Sequence, residues 1–231
     1  MILDFQYESS FYLLVMKKYI LLAIATLLLA CGFVTANAQI PAEVSALLKK
    51  SSVAMSDPTG VEYEMDIKVK MLVVNILSGK MTMASLGEKN RYTMTVKAMG
   101  QEMITEGGFD GEYEWEHTKG LGADTLYITR TTKKSVGEYD IDFNLDREYQ
   151  KAKMNKEGDY YVIDFSDPKD SEAPGKVTMK INAKNYYFYE MKSSKSGATI
   201  TLTLTKVKTG VRDGIFSCDP KKYPQAVVVR K

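Results

Sequence analysis

The stretch Val61 to Val73, V-E-Y-E-M-D-I-K-V-K-M-L-V, constrains this chain more than any other. Tyr63, Met65, Ile67, Val69, Met71 and Val73 hold the odd positions; Glu62, Glu64, Asp66, Lys68 and Lys70 hold the even ones. Side chains alternate across a strand, so the segment is extended, with one apolar and one charged side. As a helix it would spread those charges around its whole circumference. A sheet written this way has to cover its apolar face with a second layer, with helices or with a ligand.

The N-terminal region has a different character. Met16-Lys17-Lys18 precedes an apolar run, Tyr19 to Val34, which is followed by Thr35-Ala36-Asn37-Ala38. A basic start, an apolar middle and a small-x-small end predict a secretory signal peptide cut after Ala38. Asp4 and Glu8 are out of character ahead of such a signal, so Met16 is the expected true start and 1–38 is excluded from the fold. Leu28-Leu29-Ala30-Cys31 offers a competing route, in which acylated Cys31 anchors a lipoprotein.

The remaining 39–231 reads as a single domain. The whole chain has a formal charge of +2. Removing 1–38 takes two charges of each sign, so the balance stays even and argues against a nucleic-acid partner. Cys218 is the only cysteine left after cleavage, which excludes an internal disulfide.

In chain order, Ile40 to Met55 carries Val44, Leu47, Leu48 and Met55 at helical spacing behind Pro41, predicting one amphipathic helix. The first long strand follows. After a polar tip expected at Asn75 to Gly79, alternation resumes from Met81, then over Arg91 to Ala98 and Met103 to Phe109. Asp110-Gly111 signals a hairpin returning through Tyr113, Trp115 and His117. A short strand is expected at Thr125 to Ile128. Between Arg130 and Asp146 the period breaks down, predicting loop and short helix lying over the sheet. Strands return at Tyr149 to Met154, Tyr160 to Phe165, Lys176 to Ala183, Tyr186 to Met191, Thr199 to Val207 and Ala226 to Val229. The fold class is α+β but mostly β: an antiparallel, half-open barrel of about ten or eleven strands with an N-terminal helix.

Enzyme chemistry has little to stand on. His117 is the only histidine, which removes histidine-based triads and multi-histidine metal sites. Glu112, Glu114 and Glu116 share a strand face and read as solvated charges. Gly107-Gly108 and Gly120-x-Gly122 lack the strand-to-helix context of a phosphate loop. We therefore expect no catalytic residues, no metal and no cofactor.

The order of parts resembles a known family. A signal peptide, a short helix, a meander, D-G-E-Y-E-W over Asp110–Trp115 and the closing V-R-D-G-I-F-S-C-D-P from Val211 are similar to the LolA-like periplasmic lipoprotein carriers. The resemblance implies a LolA/LolB-like half-barrel whose hollow, closed by helices, takes the acyl chains of outer-membrane lipoproteins. It also implies a monomer in the periplasm of a Gram-negative bacterium. The implied partners are an inner-membrane ABC-type release complex and an outer-membrane receptor. In that family an Arg-Pro pair on the second hairpin is linked to lid closure. Here the segment reads Gly87-Glu88-Lys89-Asn90-Arg91 without the proline, and Arg91 is the candidate latch. Relatives of the same shape serve as envelope sensors or scaffolds with filled cores, which is the alternative reading.

Methionines point to where a ligand would sit. They concentrate on the first three strands, and a flexible, polarisable thioether moulds to variable apolar partners. The expected cavity wall is Met65, Ile67, Val69, Met71, Met81, Met83, Met94 and Val96, with Tyr92 and Trp115 nearer the rim. At about 0.8 kcal/mol per methylene, a ~16-carbon acyl chain is unfavourable in water by roughly 12 kcal/mol. Shielding it needs an apolar surface and no catalysis.

Overall fold

The computed structural model describes residues 40–72, 74–98, 101–120, 123–131 and 145–230. The expected signal peptide, Cys31 and most of the aperiodic segment 130–146 lie outside them. Among the described residues no helix is long and apolar enough to cross a membrane.

Among the described residues one helix, α1 (Ala42–Ala54), precedes the sheet, with Val44, Leu47, Leu48 and Ser51 buried. A six-strand meander follows: β1 (Val61–Met71), β2 (Val74–Leu86), β3 (Lys89–Ala98), β4 (Gln101–Phe109), β5 (Tyr113–Gly120) and β6 (Ala123–Arg130). A single helical turn, α2 (Leu145–Glu148), leads into a second meander. Its strands are β7 (Tyr149–Glu157), β8 (Tyr160–Pro168), β9 (Lys176–Asn182), β10 (Phe188–Lys195) and β11 (Ala198–Thr209). The chain then passes two 3-10 turns and ends in β12 (Val227–Arg230). All twelve strands belong to one open sheet, ordered β12-β6-β5-β4-β3-β2-β1-β11-β10-β9-β8-β7.

The mostly β, half-open architecture and the N-terminal helix agree with the sequence reading. Three details differ. Among the described residues there are twelve strands against an expected total of about ten or eleven, since each segment marked by alternation, the short Thr125 to Ile128 and Ala226 to Val229 pieces included, forms a strand of its own. The first hairpin turns at Leu72 rather than at Asn75 to Gly79, which form part of β2. Asn75 and Gly79 have turn chemistry, but the V-N-I-L run from Val74 carries the ladder through them. Finally, β12 pairs with β6 in parallel, so the last strand is a crossover and not another leg of the meander.

The register of β1 organises the rest. In an antiparallel pair, directly opposed residues share a face. Following Ile67 both ways gives one row: Met154, Ile163, Met179, Met191, Leu202, Ile67, Gly79, Val96 and Met103, one residue from each of nine strands. The adjacent row contains Leu204, Met65, Met81 and Met94. We call this apolar side the inner face; the buried core packs on it together with α1. Met55 beyond the helix receives the Phe188 backbone N–H at its sulfur, 3.2 Å away, and so fixes the helix end against β10.

The outer face of the same strands is charged and solvated. Lys206 pairs with Glu64 at 2.8 Å, Lys208 with Glu62 at 3.4 Å, and Glu190 lies between Lys180 and Lys192. Exposed pairs of this kind add little stability each, but they fix which side is wet. A register shift at Glu64/Met65, where Thr205 Oγ1 donates to the Glu64 carbonyl, bends β1 and β11 together.

Burial pushes the Glu148 carboxyl up to about 7, and its Oε1 has no hydrogen-bond partner among the described residues. A folded-state value above the unfolded one means the native chain holds this proton more tightly. Stability is then greatest below the ordinary carboxylate range and declines as pH rises towards 7. Glu148→Gln should raise the thermal midpoint at pH 8 and leave it unchanged at pH 4, as measured by paired thermal melts.

Candidate functional site

The sequence singles out ten wall residues, and the register divides them. Met65, Ile67, Met81, Met83, Met94 and Val96 are buried together on the inner face, with Val69 and Tyr92 half-buried against the same core. Tyr63, Met83 and Tyr92 form one row and Met65, Met81 and Met94 the next, so five of the expected wall residues line up in two adjacent rows on three strands. Met71 continues the β1 stripe but lies at the hairpin tip and is 41% exposed.

Trp115 is on the other side. Tyr92 opposes Gly107, which opposes Glu116; Arg91 opposes Gly108, which opposes Trp115. Trp115 therefore projects outward beside Arg91, away from the methionine wall. The physical reason is that the sheet exchanges its apolar side at β4. Beyond Met103 the inner face turns polar, with Thr105, Glu116 and Thr118, while Trp115 and Leu126 are buried on the outer face.

Gly107-Gly108 makes the exchange possible. A Cβ at Gly108 would collide with the Asn90 carbonyl and stand 3.0 Å from Arg91 Cα. Without one, side chains of β3 reach across β4 on both faces. Tyr92 donates to Glu116 Oε2 at 3.1 Å on the inner face. On the outer face the Arg91 guanidinium lies 5.6 Å from the Trp115 ring centroid.

This outer patch is covered by the C-terminal segment. Arg91 donates to the Ile215 carbonyl at 3.0 Å and pairs with Glu106 at 2.9 Å. Trp115 Nε1 donates to the Phe216 carbonyl at 3.0 Å, and Phe216 is fully buried. The Tyr223 ring stacks 4.2 Å from His117, whose Nε2 lies 2.9 Å from Asp124. Burial, and then the Glu106 charge, push the Tyr223 hydroxyl well above its ordinary value. Arg91, the latch suggested by resemblance, is thus tied to the C-terminal strap on the outer face. The V-R-D-G-I-F-S-C-D-P motif supplies that strap.

The opposite half of the inner face is less visible in the sequence. Met191, Ile200 and Leu204 are half-buried and flank buried Leu202, so β10 and β11 meet the β1 stripe with an accessible apolar band. The signal is present as the Met179 and Met191 alternations, but only the β1–β11 pairing shows that they join the first three strands. Among the described residues no group of three His, Cys, Asp or Glu is placed to hold a metal. The Cys218 thiol is pushed up to about 11, chiefly by burial, which makes it a poor nucleophile.

No protein-family model matches the chain, and no curated protein does. Solved structures do. An uncharacterized conserved protein from Thermus thermophilus is 10% identical with a TM-score of 0.50, over 82% of this chain and 99% of that one. That likeness is one of fold. The lipoprotein LppX from Mycobacterium tuberculosis is 13% identical with a TM-score of 0.45, covering 73% and 98%. A LolA superfamily protein from Nitrosomonas europaea is 15% identical with a TM-score of 0.35, covering 75% and 97%.

Trp115→Phe keeps the ring in place and removes the donor to the Phe216 carbonyl. Leaving that buried carbonyl unpaired should cost about 1–3 kcal/mol in urea denaturation. Arg91→Ala, which removes both the cation paired with Glu106 and the donor to the Ile215 carbonyl, should cost a similar amount.

Proposed function

We propose that the chain is a cell-envelope carrier that shields lipid or lipoprotein acyl chains against its inner face. One observation carries the reading. The apolar face extends over nine strands, and among the described elements the 13-residue α1 and the single turn of α2 pack on it. A helix of α1's length is about 20 Å long, whereas nine strands at ~4.8 Å spacing span roughly 38 Å. α1 spans about half of that width, and a half-buried band remains on the face. The half-buried band Val69, Met191, Ile200 and Leu204 is where an aliphatic chain would complete the burial.

The chemistry of the band fits a cargo that enters and leaves. Methionine side chains repack around chains of differing length with little strain. Continuous burial of methylenes supplies affinity in proportion to length, and no group in the band is needed for bond making. The sequence resemblance to lipoprotein carriers supports the periplasmic setting, a processed chain starting at Gln39, and delivery between an ABC-type release complex and an outer-membrane receptor. The second reading, a sensor or scaffold with no removable ligand, uses the same fold with a filled interior.

A fluorescent fatty acid should bind saturably and be displaced by unlabelled fatty acid. Val69→Glu and Met191→Glu place a charge in the half-buried band without opening a fully buried site. Each should weaken binding at least tenfold while circular dichroism stays unchanged. Absence of saturable binding to the parent chain, with no lipid retained in native mass spectrometry, would replace the carrier reading with the filled-core one.

A further inference from the structure

The β1–β2 hairpin tip holds a leucine that folding does not explain. Leu72 is 80% exposed and has φ 55°. The left-handed region is unfavourable for a branched, bulky residue and neutral for glycine. The position is fixed, because the Leu72 N–H donates to the Gly197 carbonyl at the neighbouring β10–β11 tip, 2.8 Å away. Leu72 therefore carries backbone strain and buries almost nothing. The backbone bond to Gly197 holds the turn but needs no leucine side chain, so a strained, exposed leucine at this surface point points to a contact made outside the chain.

Its neighbours tell what kind. Met71 is 41% exposed and Val74 61% exposed, which makes the tip a small convex apolar knob. Immediately behind it, Lys68 and Lys70 are exposed on the outer face and make no ion pair among the described residues. Two other lysines at this end of the sheet are paired, Lys97 with Glu102 and Lys195 with Glu172. A specific protein interface needs roughly 800 Å² per partner and a shape to match. Three or four side chains on a convex turn supply neither. A lipid surface requires no matching shape: it accepts apolar side chains at acyl depth and attracts lysines at headgroup level.

We propose that the β1–β2 tip docks the protein on an anionic bilayer surface, with Leu72 and Val74 entering the acyl boundary and Lys68 and Lys70 facing the headgroups. The contact is independent of whether the inner face takes an acyl chain. It does have a geometric relation to that face, because Met71 and Val69 continue the same stripe inward to Ile67.

The test places a reporter at the tip of the full chain. Trp115 is the only tryptophan and is buried, so it gives a constant background to the indole introduced by Leu72→Trp. On vesicles of phosphatidylglycerol and phosphatidylcholine the tip emission should shift to the blue and be quenched by brominated acyl chains. Vesicles of phosphatidylcholine alone should give little change. Lys68→Gln and Lys70→Gln in the same background should each weaken the response roughly fivefold, and Val74→Asp should abolish quenching. Leu72→Gly should leave thermal stability equal or higher. An unquenched tip on anionic vesicles overturns the proposal, as does equal quenching on both vesicle types that is insensitive to the lysines. A blue shift that instead follows protein concentration without lipid would assign the tip to contact between copies and likewise overturn it.

Discussion

Cross-strand register is the constraint on which this molecule depends. A strand that is apolar on alternate residues offers one oily side only if each neighbour keeps step with it, since a slip of one residue turns its whole apolar set towards water. Nine strands hold that step here, and the row through Ile67 passes from Met154 to Met103 without a charged residue. The ion pairs of the outer face contribute less through their energy than through the penalty they would impose on any shifted pairing.

The two glycines of β4 mark where this rule is relaxed. On one side of them the sheet hides its oil beneath α1; on the other it hides it beneath the C-terminal strap. Arg91 and Tyr92, adjacent in sequence, point to opposite faces and each crosses β4 to find a partner on β5. The result separates two jobs. The strap side is closed by buried hydrogen bonds to main-chain carbonyls, while the α1 side is held by apolar contact, which has no fixed partners and tolerates exchange.

Much of this was legible from residues. The alternation in Val61 to Val73, the helix over Ile40 to Met55 and the meander order followed from side-chain periods alone, and six of ten wall residues are buried together as that pattern implied. What failed to show was whatever depends on pairing across long sequence separation. Trp115 alternates cleanly in its own strand, but alternation does not say which side of the sheet a strand's oily edge faces. Asn75 and Gly79 suggest a turn, yet the β1–β2 ladder extends past them. The β10–β11 half of the apolar band became visible only through contacts between residues more than a hundred apart, such as Met65 with Leu204.

The same long-range pairing bears on how the chain reaches this state. Each meander consists of neighbours in sequence and can zip locally, but the seam between them joins Val61 to Thr209 and Met71 to Ala198. Closing so large a loop is entropically slow, and high contact order delays folding. During that delay both sides of the seam present unpaired backbone and apolar side chains. A chain built this way stays open until its eleventh strand is available. Until then the edges of β1 and β11 are the places on the unfinished sheet where a foreign strand could pair instead.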